Sequence, residues 1–506
     1  MKFLMKAIPY RWVHIAAVLL LYVFCTWAYG DVFHRAQQYC YVSTSAEQMV
    51  YVSNLPWGDI YWVLRFLMLP FKSIWLGGAW MTLWLVGSAC LLARALRLSR
   101  KWKPLTFLLP ILTLSYLVFR GIRVYYHDEP SMVIGLPILV TLVCGLCALA
   151  GHFALKKRQH ETKSPMGVVL ALGLSFVLLF VSTDYFRQND VLTARLQNMM
   201  WQAEWEDMEK EALSARRPTR AVAAYYAIAL QQQGKLLEKL FNLPFDYPED
   251  NNYLVYEGKT EYSLFEGDAN FHAGLINSSY RAVMEQHVMV GPTIAYYKRM
   301  AMCAILNQEK ALAERYLFAL EGVPFESDFV EKWRAYLVNP SLMNADQEIV
   351  NVLALKPLEE NLEQNYRRPI FMGYNVGLSS GSNYTLITSV AATLYSKELM
   401  RLLNVAGVMR QKLGGRLPQA VREAILIKSV TLKDVAQVFP DIANDRILLA
   451  QFQSFVKEAQ PYLDDKPKLR EVMKEKWLGT YFYYYYCENN NPNQVRRQEQ
   501  NNVGVN

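Results

Sequence analysis

Long apolar stretches without charged residues follow one another through the first third of the chain and then stop. The last of them runs from Pro165 to Thr183, between Lys163 and Asp184. A helix of this length, at about 1.5 Å per residue, just crosses a hydrocarbon core of roughly 30 Å. Four earlier stretches have the same character, at residues 12–29, 74–93, 105–119 and 132–155. The pattern therefore predicts a membrane domain over residues 1–184 with about five transmembrane helices.

The third predicted span is the weakest of the five. Its fifteen residues, 105–119, are fewer than the roughly 20 that usually cross a bilayer. Pro110 also removes one helix hydrogen bond. If this segment fails to cross, everything after it changes sides of the membrane.

The loop between the first two spans, residues 31–72, is rich in aromatic residues such as Trp57 and Trp62. Tyr and Trp concentrate where a bilayer meets water. We therefore expect this segment to lie along the membrane surface, with a short interfacial or re-entrant helix at Tyr61–Phe71.

Charge divides the chain at the same place as hydropathy. Up to Thr183 there are 17 Lys and Arg against 6 Asp and Glu, and the remainder has 36 against 39. With a cytoplasmic N-terminus, twelve of those first cations flank the spans on the cytoplasmic side and five on the other. Because cytoplasmic loops carry the excess of Lys and Arg, we expect Asp184 onward to lie outside the cytoplasm. The basic excess belongs to the membrane part, so no nucleic-acid partner is expected.

After Thr183 the pattern changes to short amphipathic helices joined by tight turns. Residues 185–217 predict an amphipathic connecting helix, and residues 218–487 predict a helical-repeat domain. The clearest pair of helices is predicted at 294–306 and 309–322, closed by Pro324. Such pairs resemble the tetratricopeptide repeat, although the Trp of its signature is missing. We therefore expect an all-α fold, with a bundle of about five transmembrane helices followed by a tetratricopeptide-like α-solenoid.

The C-terminal end contains two segments of unusual composition. The aromatic run Tyr481–Tyr486 either packs against the last repeat or docks on the membrane interface or a partner. Residues 488–506 are polar and rich in Asn, which is typical of a disordered tail.

The layout of the chain resembles a family of Bacteroidota inner-membrane proteins of unknown function, with several N-terminal spans and a tetratricopeptide-like periplasmic region. The resemblance rests on LYSKELMRLLNVAGVM and RLPQAVREAIL within Leu394–Leu426, and on GTYFYYYY at Gly479–Tyr486. It implies a multi-pass protein of the bacterial inner membrane whose C-terminal domain is periplasmic. No activity and no catalytic residue come with it.

The sequence lacks the motifs that would assign a cofactor or metal chemistry. No G-x-x-x-x-G-K-[ST] and no H-E-x-x-H occurs, and none of the seven histidines pairs at metal-ligand spacing. No cofactor is therefore expected. The favoured hypothesis is a scaffold or binding module for cell-envelope proteins or peptides, anchored in the lipid bilayer. Stacked helix pairs present a concave surface, which we expect Tyr225, Tyr226, Tyr296 and Tyr297 to line.

An enzyme hypothesis stays open beside the binding hypothesis. Membrane glycosyltransferases that use lipid-linked sugars place acidic residues in external loops next to their spans. A carboxylate there acts as a general base or holds a metal. Asp31, Asp59, Asp128 and Glu129 all fall in such loops.

Overall fold

The computed structural model of the protein describes residues 7–121, 129–154, 163–245, 254–257, 260–263, 265–357, 360, 383–395, 397–414 and 416–488. Asp128 and the predicted tail beyond Glu488 lie outside these described residues.

The chain forms two compact units, and each combines several stretches of sequence. The first unit consists of Met1–Asn198, His287–Lys298 and Arg315–Glu331. The second consists of Met199–Gln286, Arg299–Glu314 and Lys332–Asn506. Two stretches from the C-terminal half of the sequence therefore cluster with the membrane part, which the sequence pattern did not indicate.

The first unit holds five helices that are long and apolar enough to cross a membrane. They run over Tyr10–Ala28, Ile74–Ala95, Lys103–Arg120, Met132–Ala150 and Met166–Phe186. The first ends in a π-helical turn at Phe24–Ala28, and the fourth helix continues to Ala154. Five predicted spans are thus confirmed as candidate membrane helices, with ends that differ by a few residues.

The third span is longer than its sequence pattern predicts. A 3-10 segment at Lys103–Phe107 leads directly into the α-helix Leu108–Arg120, so the whole helix has 18 residues. Pro110 lies in the first turn of that α-helix, where the absence of an N–H group costs little. The proline therefore does not interrupt the span.

Contacts at both ends of the bundle show that the first, third and fifth spans run in the same direction. Immediately before the first and fifth spans, Ala7–Pro9 and Lys163–Pro165 pair as two antiparallel strands. At the opposite ends, Arg187 donates a hydrogen bond to the carbonyl of Phe119. A third span that failed to cross would place the starts of the first and fifth spans on opposite sides.

Exposed aromatic side chains mark the ends of the spans. Trp27, Trp75, Phe119, Tyr185 and Phe186 are all more than 60% exposed. With every span crossing, these five positions fall at the same side of the bundle. Aromatic rings are enriched at membrane–water interfaces, so this distribution is typical of a membrane protein.

Shorter helices of the first unit follow the first span. They are Gly30–Gln38, Val50–Ser53 and Gly58–Leu67, with 3-10 turns at Glu47–Met49 and Leu69–Lys72. All nine residues of Gly30–Gln38 are buried, including polar ones such as His34, whose Nδ1 lies 3.0 Å from the carbonyl oxygen of Phe71. The segment predicted to be interfacial therefore contains one buried helix, Gly30–Gln38, and two partly exposed helices, Val50–Ser53 and Gly58–Leu67.

The segment after the fifth span forms two helices instead of the single connecting helix predicted over residues 185–217. They run over Gln188–Trp201 and Trp205–Leu213. Ala203 between them has a left-handed backbone, with φ of 56°. An α-helix does not continue through such a residue.

The rest of the described chain is helical except for one hairpin. The helices are Arg220–Gln232, Leu236–Lys239, Glu266–His272, Ile276–Val290, Ile294–Leu306, Lys310–Glu321, Ser327–Val338, Gln347–Leu355, Asn383–Tyr395, Leu399–Leu413, Gln419–Thr431, Lys433–Val438, Pro440–Ala443, Arg446–Ala459, Lys466–Trp477 and Tyr481–Cys487, with 3-10 turns at Leu240–Asn242, Pro340–Ala345 and Gln460–Tyr462. Strands Leu254–Glu257 and Thr260–Ser263 form the hairpin. The predicted helical class is therefore confirmed.

Candidate functional site

The tyrosines predicted to line a partner surface in the second unit are core residues. Tyr225 and Tyr226 are fully buried. The hydroxyl of Tyr225 donates to Asp268 at 2.9 Å, and that of Tyr226 donates to the carbonyl of Lys239 at 2.7 Å. Because each buried hydroxyl finds an internal acceptor, both side chains stabilise the unit from inside. The prediction that they are exposed for a partner is corrected.

The two tyrosines of the first unit also pack inward. The Tyr296 ring lies 5.4 Å from the ring of Tyr39, and the Tyr297 ring lies 5.1 Å from that of Tyr41. Tyr296 is 3% exposed and Tyr297 is half-buried. These contacts attach the stretch His287–Lys298 to the segment that follows the first span, so the same correction applies.

The four carboxylates of the enzyme hypothesis have different surroundings. Asp31 is buried and accepts from Arg195 Nε at 3.1 Å and from Asn198 Nδ2 at 3.2 Å. Asp59 is exposed in the first turn of the helix Gly58–Leu67. Asp128 lies outside the described residues.

Glu129 is held by an arginine. Both of its oxygens accept from the guanidinium of Arg65, at 2.6 and 2.7 Å. The same guanidinium donates a third bond to the carbonyl of Tyr41, at 3.0 Å. Bidentate pairs of this kind are among the stronger hydrogen-bonded interactions in proteins. Asp31 and Glu129 thus have separate arginine partners, and each carboxylate helps to fix the fold of the first unit.

A buried group of three charges, the Lys–Glu–Lys cluster, joins distant parts of the first unit. It consists of Lys72, Glu326 and Lys298: one oxygen of Glu326 accepts from Lys72, and the other lies 2.6 Å from the ammonium of Lys298. Gln38 also accepts from Lys298, at 3.2 Å. Burial lowers the pKa of Lys298 to about 8. Burial alone would raise the pKa of Glu326, but the two ammonium groups hold it below its usual range.

The second unit contains a cavity of about 930 Å³, within the size range of ligand sites. Its walls come from the C-terminal helices of the unit. The lining residues are Arg416, Gln419, Arg422, Glu423, Asp445, Arg446, Ile447, Leu448, Ala450, Gln451, Ser454, Lys476, Trp477, Thr480 and Phe482. Four cations and two carboxylates therefore face one space, together with apolar and aromatic surface.

The cations of the cavity differ in how tightly they are held. Arg422 is buried and donates to Asp445, and Arg416 lies 3.6 Å from the same carboxylate with 73% of its side chain exposed. Arg446 is exposed. Lys476 lies 2.5 Å from Glu458, and its side chain is 59% exposed. The buried charges of the cavity are therefore paired, while its rim carries cations that solvent reaches.

The helix Tyr481–Cys487 contributes Phe482 to one wall of the cavity. Its first four residues are buried, and the carboxylate of Glu423 accepts from the backbone N–H of Tyr481 at 2.6 Å. Burial raises the pKa of Glu423. Lys397 donates to the carbonyl of Tyr485 at the other end of the helix, at 3.2 Å. Of the two alternatives for this aromatic run, packing is therefore the one observed.

Sequence reasoning did not identify the cavity residues. The one available signal was the pair of segments that carry the family resemblance, because RLPQAVREAIL contributes Arg416, Gln419, Arg422 and Glu423, and GTYFYYYY contributes Thr480 and Phe482. Among the described residues, no group of three or more His, Cys, Asp or Glu side chains is placed to hold a metal ion.

Comparison with known proteins gives a family without an assigned activity. A family model described as a family of unknown function (DUF6057) matches residues 6–183 and 112–488. No curated protein and no solved structure matches the chain. Because the matched stretches together cover most of the sequence, the chain belongs to the DUF6057 family of unknown function.

Proposed function

We propose that this protein is a membrane-anchored helical binding protein whose second unit holds an acidic segment of another cell-envelope protein. In this proposal it resides in the bacterial inner membrane, with a cytoplasmic N-terminus and a periplasmic second unit. The observation that carries the proposal is the cavity of the second unit, where exposed cations lie beside the exposed apolar side chain of Ile447.

Charge complementarity favours an acidic partner. Arg416, Arg446 and Lys476 are exposed at the rim, and exposed cations steer an oppositely charged segment towards a site and fix its register. Ile447 lines the same space and is 72% exposed, so it offers apolar contact for side chains between the acidic ones. A short extended peptide with alternating acidic and apolar residues would satisfy both features.

A repeat architecture is part of the proposal. The helices Ile294–Leu306 and Lys310–Glu321 correspond closely to the predicted pair, and Gln308 between them has a left-handed φ of 61°. Successive short helices joined by tight turns support an α-solenoid, a fold that commonly serves protein binding.

The cation distribution supports the proposed orientation, and enzyme fusions test it. Alkaline phosphatase fused after Asp190 is expected to be active, because that enzyme folds only outside the reducing cytoplasm. The same fusion after Lys103 is expected to be inactive. An inactive Asp190 fusion would overturn the periplasmic assignment.

Binding at the cavity is tested by site-specific photocrosslinking in intact cells. A photoreactive residue at Gln451, which lines the cavity, is expected to trap a discrete partner. Gln453 on the same helix is equally an exposed glutamine but does not line the cavity, so it is the matched control. The yield of the Gln451 adduct should fall when Arg446→Glu is added. Equal adducts at both positions, or an adduct unaffected by Arg446→Glu, would contradict the proposal.

A further inference from the structure

Two exposed aromatic residues of the first unit have left-handed backbones. Trp57 has φ of 66° and Phe325 also has φ of 66°, and their exposed fractions are 74% and 70%. Residues with bulky side chains rarely adopt this conformation because the side chain crowds the backbone. Glycine would fit better at both positions, and an exposed ring adds little to the core. Folding alone therefore does not explain why these positions are aromatic.

Phe325 is tied to the end of a membrane span by its neighbour in the sequence. Glu326 accepts from Lys72, and Lys72 precedes the second span, which begins at Ile74, by two residues. Consecutive Cα atoms are about 3.8 Å apart. The backbone of Phe325 therefore lies one residue from a side-chain contact with the residues that lead into the span. The end of a helix that crosses a bilayer lies where hydrocarbon gives way to lipid headgroups.

The Lys–Glu–Lys cluster fixes this position. Glu326 is 2% exposed and is bound on one side by Lys72 and on the other by Lys298. The stretch Arg315–Glu331 is further attached by the hydroxyl of Tyr41, which donates to the carbonyl of Ala319 at 2.8 Å. Phe325 is thus an exposed ring on a rigidly held segment.

Trp57, like Phe325, lies close to residues that lead into the second span. It directly precedes the helix Gly58–Leu67, and Ile60 and Val63 continue an exposed apolar stripe along that helix. The helix leads through the turn Leu69–Lys72 into the second span. The sequence pattern already predicts that this segment lies at the membrane surface. Phe325 comes from a part of the chain for which no such prediction was made.

We propose that Phe325 inserts its ring into the lipid interface and docks the stretch Arg315–Glu331 on the bilayer, beside the surface formed by Trp57, Ile60 and Val63. Apolar side chains such as Trp, Phe and Leu insert at the boundary between lipid headgroups and acyl chains. The occupant of this surface is the bilayer to which the second span belongs. This proposal requires only that the spans cross a membrane, and it is independent of what the cavity of the second unit binds.

Photocrosslinking to lipid tests the proposal on the full chain in intact membranes. The photoreactive phenylalanine analogue p-benzoylphenylalanine replaces Phe325, and adducts are identified by mass spectrometry. We expect phospholipid adducts at a yield several-fold above that at Glu331, an exposed residue at the end of the same stretch. The analogue at Phe186, an exposed ring at the end of the fifth span, is the positive control. Adducts to protein alone at Phe325, or lipid adducts equal to those at Glu331, would overturn the proposal.

Hydrogen exchange in lipid nanodiscs gives a second readout. In Phe325→Asp, the backbone of residues 315–331 should exchange several-fold faster than in the wild type, because a charged side chain cannot remain in the interface. Phe325→Leu should retain slow exchange. Unchanged exchange in the buried helix Gly30–Gln38 of the same unit verifies that the first unit of the Asp variant is folded. Identical exchange in the Asp and Leu variants would contradict the docking.

Discussion

Two arginine–carboxylate pairs, one in each unit, have almost the same burial and different surroundings. In the first unit the side chains of Arg65 and Glu129 are 6% and 12% exposed. In the second unit those of Arg422 and Asp445 are 7% and 16% exposed. The first pair is closed, because both oxygens of Glu129 accept from the same guanidinium. The second is open, because Asp445 also faces the exposed Arg416 and the cavity.

The comparison separates charges that maintain the fold from charges that remain available for a ligand. In the first unit, Glu129 and Glu326 each have their own cations, and these bonds join segments far apart in the sequence. Around the cavity, the pairs of Arg416 with Asp445 and of Lys476 with Glu458 are partly open to solvent, and Arg446 adds a further exposed cation. A satisfied pair contributes mainly structural specificity, whereas a surplus of accessible charge attracts a partner.

The closed pair gives the largest expected effect. Glu129→Ala leaves the Arg65 guanidinium buried without its carboxylate, which typically costs about 3 to 5 kcal/mol. We expect a strongly lowered melting temperature in detergent and loss of the monodisperse peak in size-exclusion chromatography. Asp59→Ala removes an exposed carboxylate of the same unit and should change neither measurement.

Glu129→Ala also distinguishes a structural role of Glu129 from a catalytic one. A Glu129→Ala protein that melts like the wild type but no longer complements a deletion strain would restore the enzyme hypothesis for this residue. Loss of the folded protein itself would explain any loss of complementation through stability.

The Lys–Glu–Lys cluster predicts a pH dependence of stability. Burial lowers the pKa of Lys298 to about 8 from its usual 10.5. Between these two values the unfolded chain binds a proton that the folded protein does not, so this group makes stability rise as pH increases through the window. Relative to Lys298→Met, the wild type should gain about 1 to 3 kcal/mol from pH 8 to pH 10.5. Parallel stability curves for the two proteins would show that Lys298 titrates normally.

Elements determined by local sequence were predictable. An uncharged apolar run such as residues 165–183 has few alternatives to a span, and the helix Ile294–Leu306 has the predicted ends. In each case neighbouring residues contain the whole signal.

Features made by distant residues were not predictable in the same way. Lys72 and Glu326 are separated by 254 positions, and each alone has the appearance of an ordinary surface charge. Tyr225 and Tyr226 have polar hydroxyls that are compatible with a surface, and only the fold supplies the internal acceptors that allow both to be buried. The cavity combines residues of four helices and of the turns between them, and their charges indicate nothing until the fold brings them together.

The exposed cations of the cavity predict a salt-dependent binding effect. Arg446→Glu should weaken binding of the captured partner by about tenfold at low salt, corresponding to about 1.4 kcal/mol. The difference should shrink at high salt because exposed charges are screened. The variant should fold as the wild type does, because Arg446 is exposed. Fluorescence anisotropy with the labelled acidic segment identified by crosslinking measures both effects, and a salt-independent loss would contradict an electrostatic role.

The smallest effect concerns two arginines that share one carboxylate. Arg422 is buried beside Asp445, so Arg422→Ala removes packing as well as charge and should lower the melting temperature by about 3 °C or more. Arg416 is mostly exposed at 3.6 Å from the same carboxylate, and surface pairs contribute little. Arg416→Ala should therefore leave the melting temperature unchanged while weakening partner binding. Equal destabilisation by the two variants would contradict this expectation. It would mean that Arg416 and Arg422 both stabilise the fold, as Arg65 does, and that neither is available to bind a partner.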